Sequence, residues 1–232
     1  MDKHVTRRAL LGAAGAIAAT AATGAGKVAR SGRIKILGVS CSPRQGKTTA
    51  TAVQVSLAAA ERVDPIIEVE LIDLGGLKIG GWSGGARPGQ GAAPKDDFEK
   101  ILPKLKDPNL GGLIIGSPVY FRSMSALCKA FLEQCAVLRK PKLLLADKPV
   151  GVLAVGAFRN GGQELVIQQV QTVLLCHEMM LVGGKPRAHQ GATLYNPADD
   201  DIMTDELGID TAKKLGQRVA EAAMKLAGLE LE

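Results

Sequence analysis

The spacing of apolar residues alternates along the chain between a strand pattern and a helix pattern. Short runs rich in β-branched and aliphatic residues predict five strands, at residues 34–39, 66–71, 111–116, 150–155 and 179–182. Apolar residues that recur every three or four positions predict helices at residues 47–62, 96–105, 125–138, 163–176 and 205–227. The run at 111–116 is apolar throughout, which predicts a strand covered on both faces.

Strands that alternate with helices form parallel sheets with helices on both faces. The pattern therefore predicts a three-layer α/β fold built around a five-stranded parallel sheet. Ligands of such sheets bind beyond the carboxyl ends of the strands, where the strand order reverses. The loops after the first, third and fourth predicted strands are therefore the places to look for a binding site.

The first thirty residues follow another pattern. Arg7 and Arg8 precede residues 9–25, an uncharged stretch rich in Ala and Gly that is weakly apolar for a membrane span. A basic start, an apolar middle and small residues at the end are typical of a secretory signal, and the arginine pair resembles the twin-arginine type, with Ala9 where Phe is usual.

We therefore predict a signal segment at 1–30, one folded domain at 31–232, and a periplasmic protein exported in folded form. An amphipathic tail that happens to contain two arginines is the alternative. The sequence does not decide whether the signal is cleaved or kept as a membrane tether.

The formal charge of +6 does not indicate a nucleic-acid partner. Five basic residues and one acidic residue before position 31 carry +4 of this charge, so only +2 belongs to the predicted domain. No basic stripe with interleaved aromatic residues follows. We therefore expect no nucleic acid among the partners.

Polar residues follow the first predicted strand and lead directly into a helix. Hydroxyl groups, a guanidinium and the free N–H groups of a helix start are suited to binding a phosphate. The residues predicted to bind it are Ser42, Arg44, Gln45, Gly46, Lys47 and Thr48. A helix cap with a polar surface turn is one alternative. A nucleotide-binding P-loop is another, but its first glycine would fall on Cys41, and the third strand ends in Gly-Ser-Pro instead of an aspartate.

Two further loops resemble a known family. Residues 117–133 read Ser-Pro-Val-Tyr-Phe-Arg-Ser-Met-Ser-Ala-Leu-Cys-Lys-Ala-Phe-Leu-Glu, and residues 156–164 read Gly-Ala-Phe-Arg-Asn-Gly-Gly-Gln-Glu. Both segments resemble signatures of the NAD(P)H-dependent FMN reductases and iron–sulfur flavoproteins. The fold of these families is flavodoxin-like, so the resemblance implies the strand order 2-1-3-4-5. The resemblance extends over residues 34–184.

The resemblance implies that the ring of FMN lies against these two loops. The residues implied in contact are Pro118, Val119, Tyr120, Phe121, Arg122, Ser123, Phe158, Asn160, Gly161 and Gly162. Aromatic side chains offer stacking surface, and adjacent glycines let the backbone approach a flat ring. The flavin would carry out the chemistry, so no protein acid–base pair or nucleophile is expected.

The resemblance also implies an activity and an assembly. NAD(P)H would reduce the flavin by hydride transfer, and the electrons would pass to an acceptor such as a quinone, another flavin or a metal. Pyridine nucleotides are scarce outside the cytoplasm, so a cytochrome, a quinol or a redox protein is an alternative donor. A non-enzymatic electron carrier is the second function left open. A homodimer or higher homo-oligomer is expected.

The chain departs from the family pattern at two places. Its four cysteines, at positions 41, 128, 135 and 176, are dispersed, and none lies in residues 77–97, where iron–sulfur flavoproteins carry their cluster, so no iron–sulfur cluster is expected. Arg122 stands where the family has glycine, and it could clamp an anionic substrate, tune the flavin or face solvent. Trp82, in a Gly-rich loop at 73–94, could cover the flavin or act as a surface anchor.

Overall fold

The structure is a computed structural model that describes residues 32–82, 96–196 and 200–229. The predicted signal at 1–30 and residues 83–94 of the Gly-rich loop lie outside these ranges. The strands are β1 Ile34–Ser40, β2 Ile67–Asp73, β3 Leu110–Tyr120, β4 Ser123–Met124, β5 Pro149–Gly156, β6 Met180–Leu181 and β7 Ala192–Tyr195. The α-helices are α1 Thr48–Glu61, α2 Phe98–Leu105, α3 Ala126–Gln134, α4 Gln163–Leu175 and α5 Glu206–Leu226.

The main sheet is parallel, with the order β2-β1-β3-β5-β6. This is the predicted order, and the flavodoxin-like three-layer α/β fold is confirmed. Helices α2, α3 and α4 cover one face through Phe98, Phe131 and Val170, while α1 and α5 cover the other through Val53 and Leu215. The strands read as continuous apolar runs because both faces of the sheet are buried.

The fifth strand position is the main correction to the predicted sheet. The run at 179–182 contributes only two residues, Met180 and Leu181, which pair with the start of β5. The chain then leaves the sheet and returns as β7, which pairs in parallel with the end of β5 from Leu153 to Gly156. The segment that forms β7 is short and follows a polar loop, so apolar spacing gave no signal for it.

The third predicted strand is longer than expected. It continues through Pro118, which pairs with Val155, and ends only at Tyr120. There the chain turns back through Phe121 and Arg122 into β4, with Tyr120 opposite Ser123. Pro118 is therefore a buried strand residue and not the loop residue that the sequence predicted. It lies two residues beyond Gly116, the last β3 residue that pairs with β1, so the ladder on that side has already ended.

The helix predicted at 125–138 ends at Gln134 and continues as a 3₁₀ helix over Cys135–Arg139. Helix ends often tighten in this way, and such ends are the least predictable part of an element. Among the residues that the structure describes, no helix combines the length and the apolar character needed to cross a membrane.

Close packing on the α1 and α5 face depends on small residues. A Cβ added at Gly38 would lie 2.4 Å from Cγ1 of Val53, and one at Gly216 would lie 1.8 Å from the carbonyl oxygen of Ser56. The hydroxyl of Ser56 donates to the carbonyl of Ala212 at 2.8 Å, which joins α1 to α5. This contact fixes the position of α1, and therefore of its amino end at the carboxyl edge of the sheet.

Candidate functional site

The structure brings the three predicted loops to one edge of the sheet. Cys41 N–H donates to the carbonyl of Gly116 at 2.8 Å, so the loop after β1 lies beside β3. A Cβ on Gly162 would lie 3.3 Å from Cα of Arg122, so the turn after β3 touches the loop after β5. Parallel neighbours end at the same edge, which is why three distant segments of sequence meet here.

Ser125 ties the first loop to the start of α3. Its hydroxyl donates to the carbonyl of Cys41 at 2.6 Å and accepts from the N–H of Cys128 at 3.0 Å, which caps α3. Its own N–H donates to the hydroxyl of Ser117 at 3.1 Å. A single buried serine therefore connects the ends of β1 and β3 to the helix that follows.

Asp73, at the end of β2, shapes the loop after β1. One of its carboxylate oxygens accepts from the N–H of Gly46 at 2.7 Å, and the other from the N–H of Gly75 at 3.1 Å. Gly46 has a φ of +65°, which favours glycine. Gly46 was expected to donate to a phosphate, but its N–H is already bonded, so in this structure it shapes the loop.

Arg44 and Lys47, two of the predicted phosphate ligands, share an internal carboxylate. Asp200 lies 2.6 Å from Nη1 of Arg44 and 3.5 Å from Nζ of Lys47. Nδ2 of Asn196 donates to the same carboxylate at 3.3 Å. The Arg44 guanidinium holds the pKa of Asp200 below its ordinary value, with a smaller effect from Lys47. These donors are therefore arranged around an anionic group.

The amino end of α1 offers further donors to an anion. No side chain caps this end, and its first backbone bond is from the N–H of Thr51 to the carbonyl of Lys47. Free N–H groups at such an end attract anions. Ser42 and Thr48 are buried beside it, and the hydroxyl of Ser40 is buried with no hydrogen-bond partner. Residues of this kind fit the phosphate of FMN.

The turn between β3 and β4 presents its side chains outward. Phe121 and Arg122 have φ values of +49° and +63°, an uncommon conformation for residues other than glycine. Phe121 is fully exposed and Tyr120 is 40% exposed. The hydroxyl of Ser123 donates to Oε1 of Gln169 on α4 at 2.8 Å, which attaches the turn to the rest of the edge.

The loop after β5 forms the opposite wall of a cavity. The cavity has a volume of about 340 Å³ and is lined by Arg122, Arg159, Asn160, Gly162, Gln163, Glu164, Leu165 and Thr193. Gly162, with a φ of +108°, precedes α4, whose amino end also has no side-chain cap. Phe158 is 75% exposed at the rim, and Gly161 N–H donates to the Phe158 carbonyl at 3.1 Å. Exposed aromatic surface beside glycine backbone fits the ring of a flavin.

Arg159 and Asp205 are site residues that the sequence did not reveal. Arg159 makes an ion pair with the buried carboxylate of Asp205, and its guanidinium carbon lies 4.3 Å from the centre of the Tyr195 ring. Asp205 also accepts from the N–H groups of Tyr195 and Gly208, both at 2.9 Å. Arg159 lay inside the loop chosen from sequence, but its partner is 46 residues away, and no local pattern could have joined them.

Three of the four cysteines lie behind the first loop. Cys41, Cys128 and Cys135 are buried in the core under α3, and burial raises the pKa of the Cys41 thiol, as it does that of Cys135. Protonated, buried thiols are poor nucleophiles. Within residues 32–82, 96–196 and 200–229, no group of three His, Cys, Asp or Glu side chains has an arrangement that could hold a metal ion. The expectation of no iron–sulfur cluster stays a prediction.

Trp82 is attached to α3 at the start of the Gly-rich loop. Its N–H donates to Oε2 of Glu133 at 2.7 Å, and Gln134 Nε2 donates to the carbonyl of Gly80 at 2.8 Å. Lys129 and the Trp82 N–H lower the pKa of Glu133. The indole is 51% exposed. These contacts attach the base of the loop to the last turn of α3.

Comparison with known proteins identifies the family. Residues 34–193 match the family described as NADPH-dependent FMN reductase. An iron–sulfur flavoprotein of Methanocaldococcus jannaschii is 40% identical over 192 residues, which cover 81% of this chain and 96% of that protein. An iron–sulfur flavoprotein of Methanosarcina thermophila is 30% identical over 184 residues, covering 78% of this chain and 93% of that protein.

The fold also matches solved structures. The flavodoxin, WrbA-like protein from Agrobacterium tumefaciens superimposes with a TM-score of 0.57 at 16% identity, over 83% of this chain and 98% of that one. This likeness shows the fold alone. The match over residues 34–193, together with the 40% identical relative, shows that the chain belongs to the NADPH-dependent FMN reductase family.

Proposed function

We propose that this protein binds FMN at the carboxyl edge of its sheet and works as an FMN-dependent oxidoreductase. The observation that carries the proposal is the meeting of three turns, after β1, β3 and β5, around uncapped amino ends of α1 and α4. The bound flavin would accept a hydride from NAD(P)H and pass electrons to a quinone, flavin or metal acceptor.

Different residues of this edge would bind the phosphate and the ring of FMN. Ser42, Arg44, Lys47 and Thr48, with the first N–H groups of α1, would hold the phosphate, because they supply charge-assisted donors. Tyr120, Phe121 and the backbone at Gly161 and Gly162 would hold the ring.

Export in folded form is part of the proposal. A twin-arginine signal at residues 1–30 would carry the protein to the periplasm with its cofactor installed. Fractionation of cells that express the full chain tests it, because replacing Arg7 and Arg8 by Lys should hold the protein in the cytoplasm. Equal periplasmic amounts of both forms would reject this route.

The test of FMN binding is a visible absorption spectrum of the purified full chain, with the extracted flavin identified by chromatography. We expect an FMN spectrum that bleaches when NADPH or NADH is added without oxygen. Arg44→Gln should lose FMN, while Arg187→Gln, which changes an exposed arginine of another loop, should keep it. A colourless protein that takes up no added FMN would reject the proposal.

A non-enzymatic electron carrier is the second candidate. The observation in its favour is the exposure of Phe121 and Phe158 at the rim, since exposed aromatic residues are frequent where proteins dock. A carrier would hold FMN but would not bleach with NADPH or NADH, and it would be reduced only through a protein donor. The bleaching experiment therefore separates the two candidates.

A further inference from the structure

The cavity between the β3–β4 turn and the amino end of α4 contains an exposed arginine that has no ion-pair partner among the described residues. Arg122 lines this cavity of about 340 Å³. Its guanidinium makes no ion pair or hydrogen bond with any residue of 32–82, 96–196 or 200–229. The two other arginines of this edge differ, because Arg44 pairs with Asp200 and Arg159 with Asp205.

The backbone holds Arg122 over the helix end. A Cβ on Gly162 would lie 3.3 Å from Cβ and 3.4 Å from Cγ of Arg122, so the stem of the arginine crosses directly above the residue that precedes α4. Arg122 keeps a φ of +63°, which glycine would adopt at lower cost. Arg122 therefore places a charged side chain on the cavity wall at a position that glycine would occupy with less strain.

Arg159 supplies the second wall. Asp205 holds one nitrogen of its guanidinium, the Thr193 carbonyl accepts from another at 3.5 Å, and the Tyr195 ring covers one face. This guanidinium is fixed in direction although its charge is balanced. Arg159 can therefore add a rigid hydrogen-bond donor beside the unbalanced charge of Arg122.

One negative group also lines the cavity. Glu164 lies in the first turn of α4, where its carboxylate accepts from Nε2 of Gln190 at 2.9 Å. This bond directs the carboxylate towards the segment before β7. Arg122 and the uncapped start of α4 line the rest of the cavity, which suits a group of one or two negative charges.

We propose that this cavity binds the anionic group of the second substrate, a sulfonate, carboxylate or phosphate, and that Arg122 determines the preference for it. The inference rests on the proposed function, since Arg122 and Phe121 belong to the same turn and a substrate anchored here would lie beside the ring. The anion could belong to the acceptor or, as the 2′-phosphate of NADPH, to the donor.

The test measures equilibrium binding to the FMN-loaded, oxidised full chain, so that no turnover occurs. Titration calorimetry compares two pairs of probes that differ by one anionic group: a naphthoquinone sulfonate against the methyl naphthoquinone, and NADP⁺ against NAD⁺. The wild-type protein should prefer the anionic member of one pair by roughly tenfold at low salt. The pair that shows the preference identifies the source of the anion.

Four variants test whether Arg122 causes the preference for the anionic probe. Arg122→Gln should abolish the preference and leave the binding of the neutral probe unchanged, and Arg122→Lys should restore part of it. Glu164→Gln should raise the affinity for the anionic probe a few-fold, because it removes a negative charge that repels the probe. Arg187→Gln should change nothing.

Three results would overturn the inference. They are a wild-type protein without charge preference, an Arg122→Gln variant that keeps the preference, and an Arg122→Gln variant whose main defect is loss of FMN. The FMN content of each preparation is read first from its absorption. A protein that never binds FMN therefore rejects the proposed function, while a loaded protein without charge preference rejects only this inference.

Discussion

The amino ends of α1 and α4 lie at the same edge and differ in how their charges are held. At α1 the arginine and the lysine share Asp200, whose side chain is 31% exposed. At α4 the arginine is held by Asp205, which is buried and accepts three bonds. The comparison indicates that the end proposed to bind the phosphate is the more adjustable one, and that the end proposed to bind the ring is the more rigid one.

The largest expected effect comes from removing Asp205, the buried carboxylate that holds Arg159. Asp205→Ala removes the partner of Arg159 and leaves the N–H groups of Tyr195 and Gly208 without acceptors, so it should cost about 3 kcal/mol of unfolding free energy. Asp201→Ala is the matched control, because Asp201 is exposed and caps a short 3₁₀ helix through one bond to Met203, and it should cost under about 1 kcal/mol. Urea unfolding measures both. Equal losses would show that Asp205 is not a special anchor.

The next effect concerns two buried serines at the carboxyl edge. Ser125→Ala should cost about 2 kcal/mol, since its hydroxyl bonds both Cys41 and Cys128. Ser40→Ala should stay within about 0.5 kcal/mol of the wild type in the FMN-free protein, because this hydroxyl has no partner to lose. Urea unfolding tests both. A lower FMN affinity of Ser40→Ala at unchanged stability would assign the buried hydroxyl to the ligand.

A smaller effect tests the adjustable end. Asp200→Asn removes the carboxylate that occupies Arg44 and Lys47, so the dissociation constant of FMN should fall roughly threefold at low salt and less at high salt. Asp201→Asn serves as the charge-matched control. Fluorescence of free FMN reports the binding. If Asp200→Asn instead weakens binding, the carboxylate positions Arg44 for the phosphate and does not compete with it.

The smallest expected effect concerns His177, which follows the carboxyl end of α4 and lies away from both helix amino ends. Burial lowers the pKa of His177 below its ordinary value of 6.5, and Arg139 adds to the effect. In the unfolded chain His177 takes up a proton near pH 6.5, whereas in the folded chain it does so only at a lower pH. The free energy of unfolding therefore falls as the pH drops below about 6.5. Asp200 does not contribute to this pH dependence, because its pKa is lowered from 3.8 and it stays charged throughout the range in which His177 titrates. Urea unfolding of His177→Gln should show a flatter pH dependence, and an unchanged slope would contradict this origin.

The elements with regular patterns were predictable and the interrupted ones were not. The strands β1 and β5 and the helices α1, α4 and α5 lie within a residue or two of their predicted bounds, because each has a sustained apolar face. β7 was missed, and the turn at Phe121 and Arg122 was placed too early. A four-residue strand takes its register from β5, its neighbour in space, so its own sequence carries little information.

The sequence by itself determined the α/β alternation and the loops that meet at one edge, because these follow from apolar periodicity and from the geometry of parallel sheets. The strand order was implied by the resemblance to a known family. Only the tertiary structure decided which charges within those loops are balanced. The partners of Gly46, Arg44 and Arg159 are Asp73, Asp200 and Asp205, all more than twenty residues away in sequence. Contacts across such distances arise when packing closes the chain, and no local pattern encodes them.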